Sequence, residues 1–141
     1  MTAAQSLLAA ILAQGLLHLI MMVALYATRI PAMVGARMSA QATLKPGALS
    51  TLPAWARNVA ANYNNLAEAP TTFYASALAV VVMGKGDWGF AGLAWSFVAL
   101  RYTHSAVQAT ANRVMVRFAV FSPSWAVLGV MIVRGLLSVL A

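Results

Sequence analysis

Glu68, Arg101, His104 and Arg117 are the ionisable side chains whose spacing could build a site. Glu68 is one of two acidic residues in 141. It lies in Asn64-Asn65-Leu66-Ala67-Glu68-Ala69-Pro70, where a long apolar run begins. A carboxylate beside such a run is costly unless a cation answers it. Arg101, His104 and Gln108 recur at steps of three and four residues, so they share one helical face. Asn58, Asn62, Asn65, Glu68 and Thr72 form a second stripe by the same spacing. The cations outnumber the carboxylate, which leaves positive charge for an anionic guest. Arginine presents a bidentate fork, suited to a small ligand with several carboxylates. An arginine beside a thiol favours the thiolate. The chain has no cysteine, so such a thiol would have to arrive with the ligand.

Other chemistries fit less well. Two histidines, one nearby carboxylate and no cysteine make a poor metal set, and no metal is expected. Ser105 adjoins His104, and adjacent helical residues point to different faces, which argues against a Ser–His hydrolase. A structural polar knot would use the same residues without a ligand. A solute carrier through Glu68 would want broken-helix repeats, which do not stand out.

The elements that must position these groups follow from composition. Apolar residues make up 62% of the chain and charged residues 8%, with a net charge of +7. Such a chain reads as an integral membrane protein, not a soluble domain. Its basic residues flank apolar blocks, as topology-setting charge does, so no nucleic acid is expected. Four transmembrane helices are expected, at about 6–28, 53–83, 88–110 and 116–140, each able to cross about 30 Å of hydrocarbon. Short connections make them an all-α, up-down bundle in a single domain, 1–141. Pro70 is expected to kink the second helix just beyond Glu68. Gln14 and His18, one turn apart, are expected to pair inside the bundle. Arg134 is expected to snorkel to the interface, with Lys85 balanced by Asp87.

Connections one and three hold Arg29, Arg37, Lys45, Arg57, Arg113 and Arg117, which places them on the cytoplasmic side and both termini opposite. From the Gly84–Trp88 turn, Glu68 lies about 25 Å down the second helix, and Arg101 and His104 about 20 and 24 Å down the third. The carboxylate and the Arg/His face therefore match in depth.

At these residues the sequence resembles the MAPEG superfamily, the membrane-associated proteins in eicosanoid and glutathione metabolism. The match rests on Asn65-x-x-Glu68 with Pro70 close behind, and on Arg101-x-x-His104 with Arg117 further on. The resemblance covers nearly the whole chain. It implies a homotrimer in membrane lipid, with glutathione as co-substrate bound between subunits near the cytoplasmic face. It implies that Asn65, Glu68, Arg101, His104, Gln108, Arg113 and Arg29 contact glutathione, and that Arg117 stabilises its thiolate for attack on a lipophilic electrophile. The implied activity is that of a transferase or peroxidase. Ala61 stands where the family often has arginine, and Gln108 where it often has tyrosine. Pro70 comes one residue early. A non-catalytic module of the same fold, binding a lipid, another anion or a protein, is the alternative.

Overall fold

The computed structural model describes residues 1–140 and is all-helical among them. Helix α1 spans Ala3–Gly35. It starts in a capping box, in which Thr2 Oγ1 accepts from the Gln5 amide and the Gln5 side chain accepts from the Thr2 amide. Each half satisfies a donor that the first turn would leave orphaned. α1 is longer than its apolar stretch and carries Pro31 inside it. Two short 3-10 turns, Ala40–Leu44 and Ala48–Thr51, fill the connection that follows.

The expected second helix is two helices. α2 spans Ala54–Asn65 and α3 spans Ala69–Val82. The expected kink beyond Glu68 is instead a break before it. Proline at 70 has no amide to donate, and its ring collides with the carbonyl four residues earlier, that of Leu66. The same residue is well placed in the first turn of α3, where amides lack partners anyway. Thr71 Oγ1 donates to the Ala67 carbonyl at 2.7 Å, which covers one acceptor that the break exposes.

Gly84 turns the chain with φ 66°, and α4 spans Trp88–Ala109. Asp87 caps it, accepting from the Phe90 amide at 2.9 Å. α5 spans Val114–Leu140 and runs through Pro123. Just past that proline, Ser124 Oγ donates to the Phe121 carbonyl at 2.7 Å.

α4 packs against α1, α2 and α5, while α3 packs against α1 and α5. Leu7, Phe73, Phe90, Phe97, Leu128 and Met131 build the larger apolar core. Phe73 and Phe97 stack there at 4.5 Å. A second core of Leu17, Met21, Leu25, Val59 and Leu66 lies between α1 and α2. α1 and α5 are long and apolar enough to cross a membrane. Both leave apolar side chains outward: Leu12, Leu16 and Val23 on α1, Val133, Leu137 and Val139 on α5. That pattern belongs to a chain solvated by lipid or by other subunits.

The expected pair of Gln14 and His18 is corrected. Gln14 is buried but bonds to nothing among the described residues, and His18 stands edge-on to Tyr63 at 5.0 Å instead. Asp87 pairs with Arg134 at 2.5 Å, not with Lys85, and the Arg134 guanidinium lies 4.3 Å from the Phe90 ring centroid. Arg134 is therefore held at the mouth of the α3–α4 turn.

Candidate functional site

The break in the second helix creates the first feature of the site. With the helix ended at Asn65, its last carbonyls have no full complement of donors. Arg101 Nη2 donates to the Asn65 carbonyl at 3.1 Å. A cation at a helix C-terminus also suits the helix dipole. Arg101 is fully buried, and its guanidinium carbon lies 5.7 Å from the Phe121 ring centroid. Its Nε and Nη1 bond to nothing among the described residues. A buried guanidinium with unspent donors is costly, and such a group is a place where water or a ligand gains most by entering.

About two turns further along α4, Gln108 Oε1 accepts from Asn65 Nδ2 at 3.0 Å and meets His104 Nε2 at 2.9 Å. His104 Nδ1 lies 3.4 Å from the Arg117 carbonyl. Both ring nitrogens thus face an oxygen, so the ring donates on at least one side. The i, i+4 spacing of His104 and Gln108 is what allows their bond.

Arg117 reaches the same place from α5. Its Nη1 donates to Asn112 Oδ1 at 3.0 Å, and Asn112 Nδ2 donates to Asn58 Oδ1 on α2 at 2.9 Å. Asn112 sits in the α4–α5 turn with φ 46°, a left-handed backbone that asparagine tolerates better than most residues. The guanidinium is thereby aimed by a chain of two amides across three elements.

Asn65, His104, Arg117, Val114, Phe118 and Phe121 line a pocket of about 190 Å³. One wall is polar and cationic; the other is apolar and belongs to α5. Val114, Phe118 and Phe121 surround Arg117 at helical steps. The sequence reading missed them, though an i−3, i+1, i+4 scan from Arg117 would have found them.

Of the expected residues, the structure brings Asn65, Arg101, His104, Gln108 and Arg117 together. Three are placed elsewhere. Glu68 is exposed at the helix break and makes no ion pair among the described residues, so its expected pairing with Arg101 and His104 is corrected. Arg113 is exposed at the end of the α4–α5 turn, outside the pocket lining. Arg29 lines a different pocket, with Arg57. No cluster of three metal-ligating side chains occurs among the described residues.

The pocket is smaller than the roughly 300 Å³ at which small-molecule sites usually begin, so one chain alone would enclose a tripeptide incompletely. The model of the MAPEG family matches residues 7–137. No curated protein and no solved structure gives a match.

Proposed function

Because this chain belongs to the MAPEG family, and is with its apolar outer faces a membrane protein, we propose that it is a glutathione-dependent transferase or peroxidase acting on lipophilic electrophiles. The observation that carries this is Arg117: a guanidinium aimed by Asn112 into a pocket whose other wall is apolar.

In this reading Arg117 holds the glutathione sulfur as thiolate, since a nearby cation favours the charged form. Asn65, Gln108 and His104 offer hydrogen bonds to the peptide, and the free donors of Arg101 attract its carboxylates. Glu68 and Arg113 lie outside this pocket and meet the ligand only where it extends past the pocket edge. The electrophile comes from the bilayer along Phe118 and Phe121. The thiolate sulfur attacks its electrophilic carbon, and the leaving group departs with the bonding pair. For a hydroperoxide, the sulfur attacks the terminal oxygen, the O–O bond breaks and the alcohol leaves after taking up a proton, which leaves glutathione as its sulfenic acid; the thiol of a second glutathione then attacks that sulfur, forming the disulfide and releasing water.

The fold reading that goes with this has four spans, α1, α2 with α3, α4 and α5. It has a homotrimer that completes each pocket, and the connections carrying Arg37, Lys45 and Arg113 on the cytoplasmic side. The small single-chain pocket supports the trimer, since a neighbour would supply the missing wall.

One observation favours a second reading, a non-catalytic module. Arg101 already caps α2, and a residue so placed can serve structure alone. The test is glutathione binding by thermal shift, beside conjugation of an apolar electrophile, in wild type and Arg117→Ala. Turnover should fall about 10- to 100-fold in the variant, the loss of one charge-assisted interaction. Binding without turnover would favour the module. Activity indifferent to Arg117→Ala would sink the catalytic reading.

A further inference from the structure

A second cationic pocket lies where α1, α2 and the 3-10 turn Ala48–Thr51 meet. Its volume is about 290 Å³. Arg29 and Arg57 line it, with Ser50 and Asn64 as further polar groups. Leu49, Leu52 and Ala61 supply apolar wall. None of its lining residues is acidic, and neither arginine makes an ion pair among the described residues. Of the chain's two carboxylates, Asp87 is taken by Arg134 at the α3–α4 turn, and Glu68 lies beyond the C-terminus of α2. Two guanidiniums thus share a concave surface with no anion to answer them.

Its depth says what kind of anion it would meet. The α3–α4 turn is level with the start of α1, for a β-carbon on Gly86 would stand 3.7 Å from Ala4 Cα. That turn carries Lys85, Asp87 and the exposed Trp88, the residues of a membrane interface. From Ala4 to Arg29 is about 38 Å along α1 at about 1.5 Å per residue. A bilayer has a hydrocarbon core of about 30 Å and spans about 40–45 Å with its headgroups. Arg29 therefore falls in the opposite headgroup layer. Trp55, half-exposed beside Arg57, marks the same layer.

We propose that this pocket binds the phosphate headgroup of an anionic phospholipid. The paired arginines take the phosphate oxygens, the geometry for which a guanidinium fork is suited. Asn64 donates to the glycerol ester, and Ser50 Oγ, whose proton goes to the Gly47 carbonyl at 2.6 Å, accepts from a headgroup hydroxyl. Leu49 and Leu52 take the first carbons of the acyl chains, which is why an amphiphile fits better than free phosphate. The proposal rests on the membrane reading and not on glutathione chemistry.

The test uses purified protein in a neutral detergent. Its unfolding temperature is followed while phosphatidylglycerol, phosphatidylcholine, inorganic phosphate or glutathione is added, for wild type, Arg57→Gln, Arg57→Lys, Arg29→Gln and Arg117→Ala. Phosphatidylglycerol should raise the temperature at concentrations where phosphatidylcholine and inorganic phosphate do not. Arg57→Gln and Arg29→Gln should weaken that response by about tenfold or more, and Arg57→Lys by less. Arg117→Ala should keep it in full. Arg57 is exposed, so its variants report even if Arg29→Gln folds poorly. Equal responses to the two lipids, or a response that Arg57→Gln leaves unchanged, would overturn the proposal. So would a response to inorganic phosphate alone, which would make free phosphate the ligand. Glutathione displacing the lipid in wild type would likewise overturn it, by making these arginines part of the glutathione site.

Discussion

Asn112 holds a left-handed backbone (φ 46°) and two side-chain hydrogen bonds at once, to Asn58 and to Arg117. Strain of that kind persists when its surroundings over-determine it. The residue therefore positions Arg117 without touching the pocket. Replacing it separates the two properties. Asn112→Gly keeps the backbone freedom and removes the amide, so the fold should hold while Arg117 loses its aim. The expected result is a drop of about tenfold in kcat/KM for glutathione conjugation, the loss of one hydrogen bond to a charged group, with little change in unfolding temperature. Asn112→Ala adds backbone strain, of order 1 kcal/mol or more, and should lower both. A full loss of unfolding stability in Asn112→Gly would show a structural residue only. Much of this site could be read from spacing alone. Arg101, His104 and Gln108 stand on one face because three- and four-residue steps put them there, and Asn65 follows from the stripe on the preceding helix. Glu68 could not be placed that way. Its position depends on whether the helix continues to residue 70, and Pro70 ends it first. Asn112 and Asn58 were visible as amides, but their bond joins elements 54 residues apart, and no local periodicity reports such a contact.

At the scale of the element, the two helix boundaries that proline and aspartate set do different work. Pro70 divides α2 from α3 and leaves the Asn65 carbonyl for Arg101. A proline beside an Asn-x-x-Glu motif was legible as a disturbance; that it makes a full break followed from packing, because Leu66 is buried and the chain must turn around it. Asp87 starts α4 and also holds Arg134. Both groups of that ion pair are about half exposed, so the pair itself contributes little, up to about 1 kcal/mol. The cap contributes about the same or more. Asp87→Asn keeps a capping oxygen and loses the charge, whereas Asp87→Ala loses both. Unfolding of the protein in detergent should therefore rank wild type, then Asp87→Asn within about 1 kcal/mol, then Asp87→Ala about 1–2 kcal/mol below that. Gly89→Ala tests the same corner. A β-carbon there meets the Arg134 guanidinium, the far end of a flexible side chain, so it should dislodge that arginine at no more cost than Arg134→Ala. Equal stability of Asp87→Asn and Asp87→Ala would refute the role of the cap.

For the whole molecule, the question is which end faces the cytoplasm. The bundle has two unlike ends. One carries Arg29, Arg37, Lys45, Arg57, Arg113 and Arg117; the other carries Lys85 with the Asp87–Arg134 pair. Basic residues in short loops hold the cytoplasmic side, and acidic residues count for little. The end with the proposed glutathione and lipid sites should therefore face inward, and the Gly84–Trp88 turn outward with both termini. The sequence is without cysteine, so single cysteines report cleanly in it. Ser50 and Lys85 are both exposed. In intact cells a membrane-impermeant maleimide should label Lys85→Cys and spare Ser50→Cys. Permeabilising the membrane should bring Ser50→Cys up to the same level. The reverse pattern would place the two arginine pockets outside. Glutathione is scarce there, so that result would count against the transferase reading and leave the lipid site standing, since anionic headgroups can occur in either leaflet. Labelling of both positions in intact cells would mean that the four-span count itself is wrong.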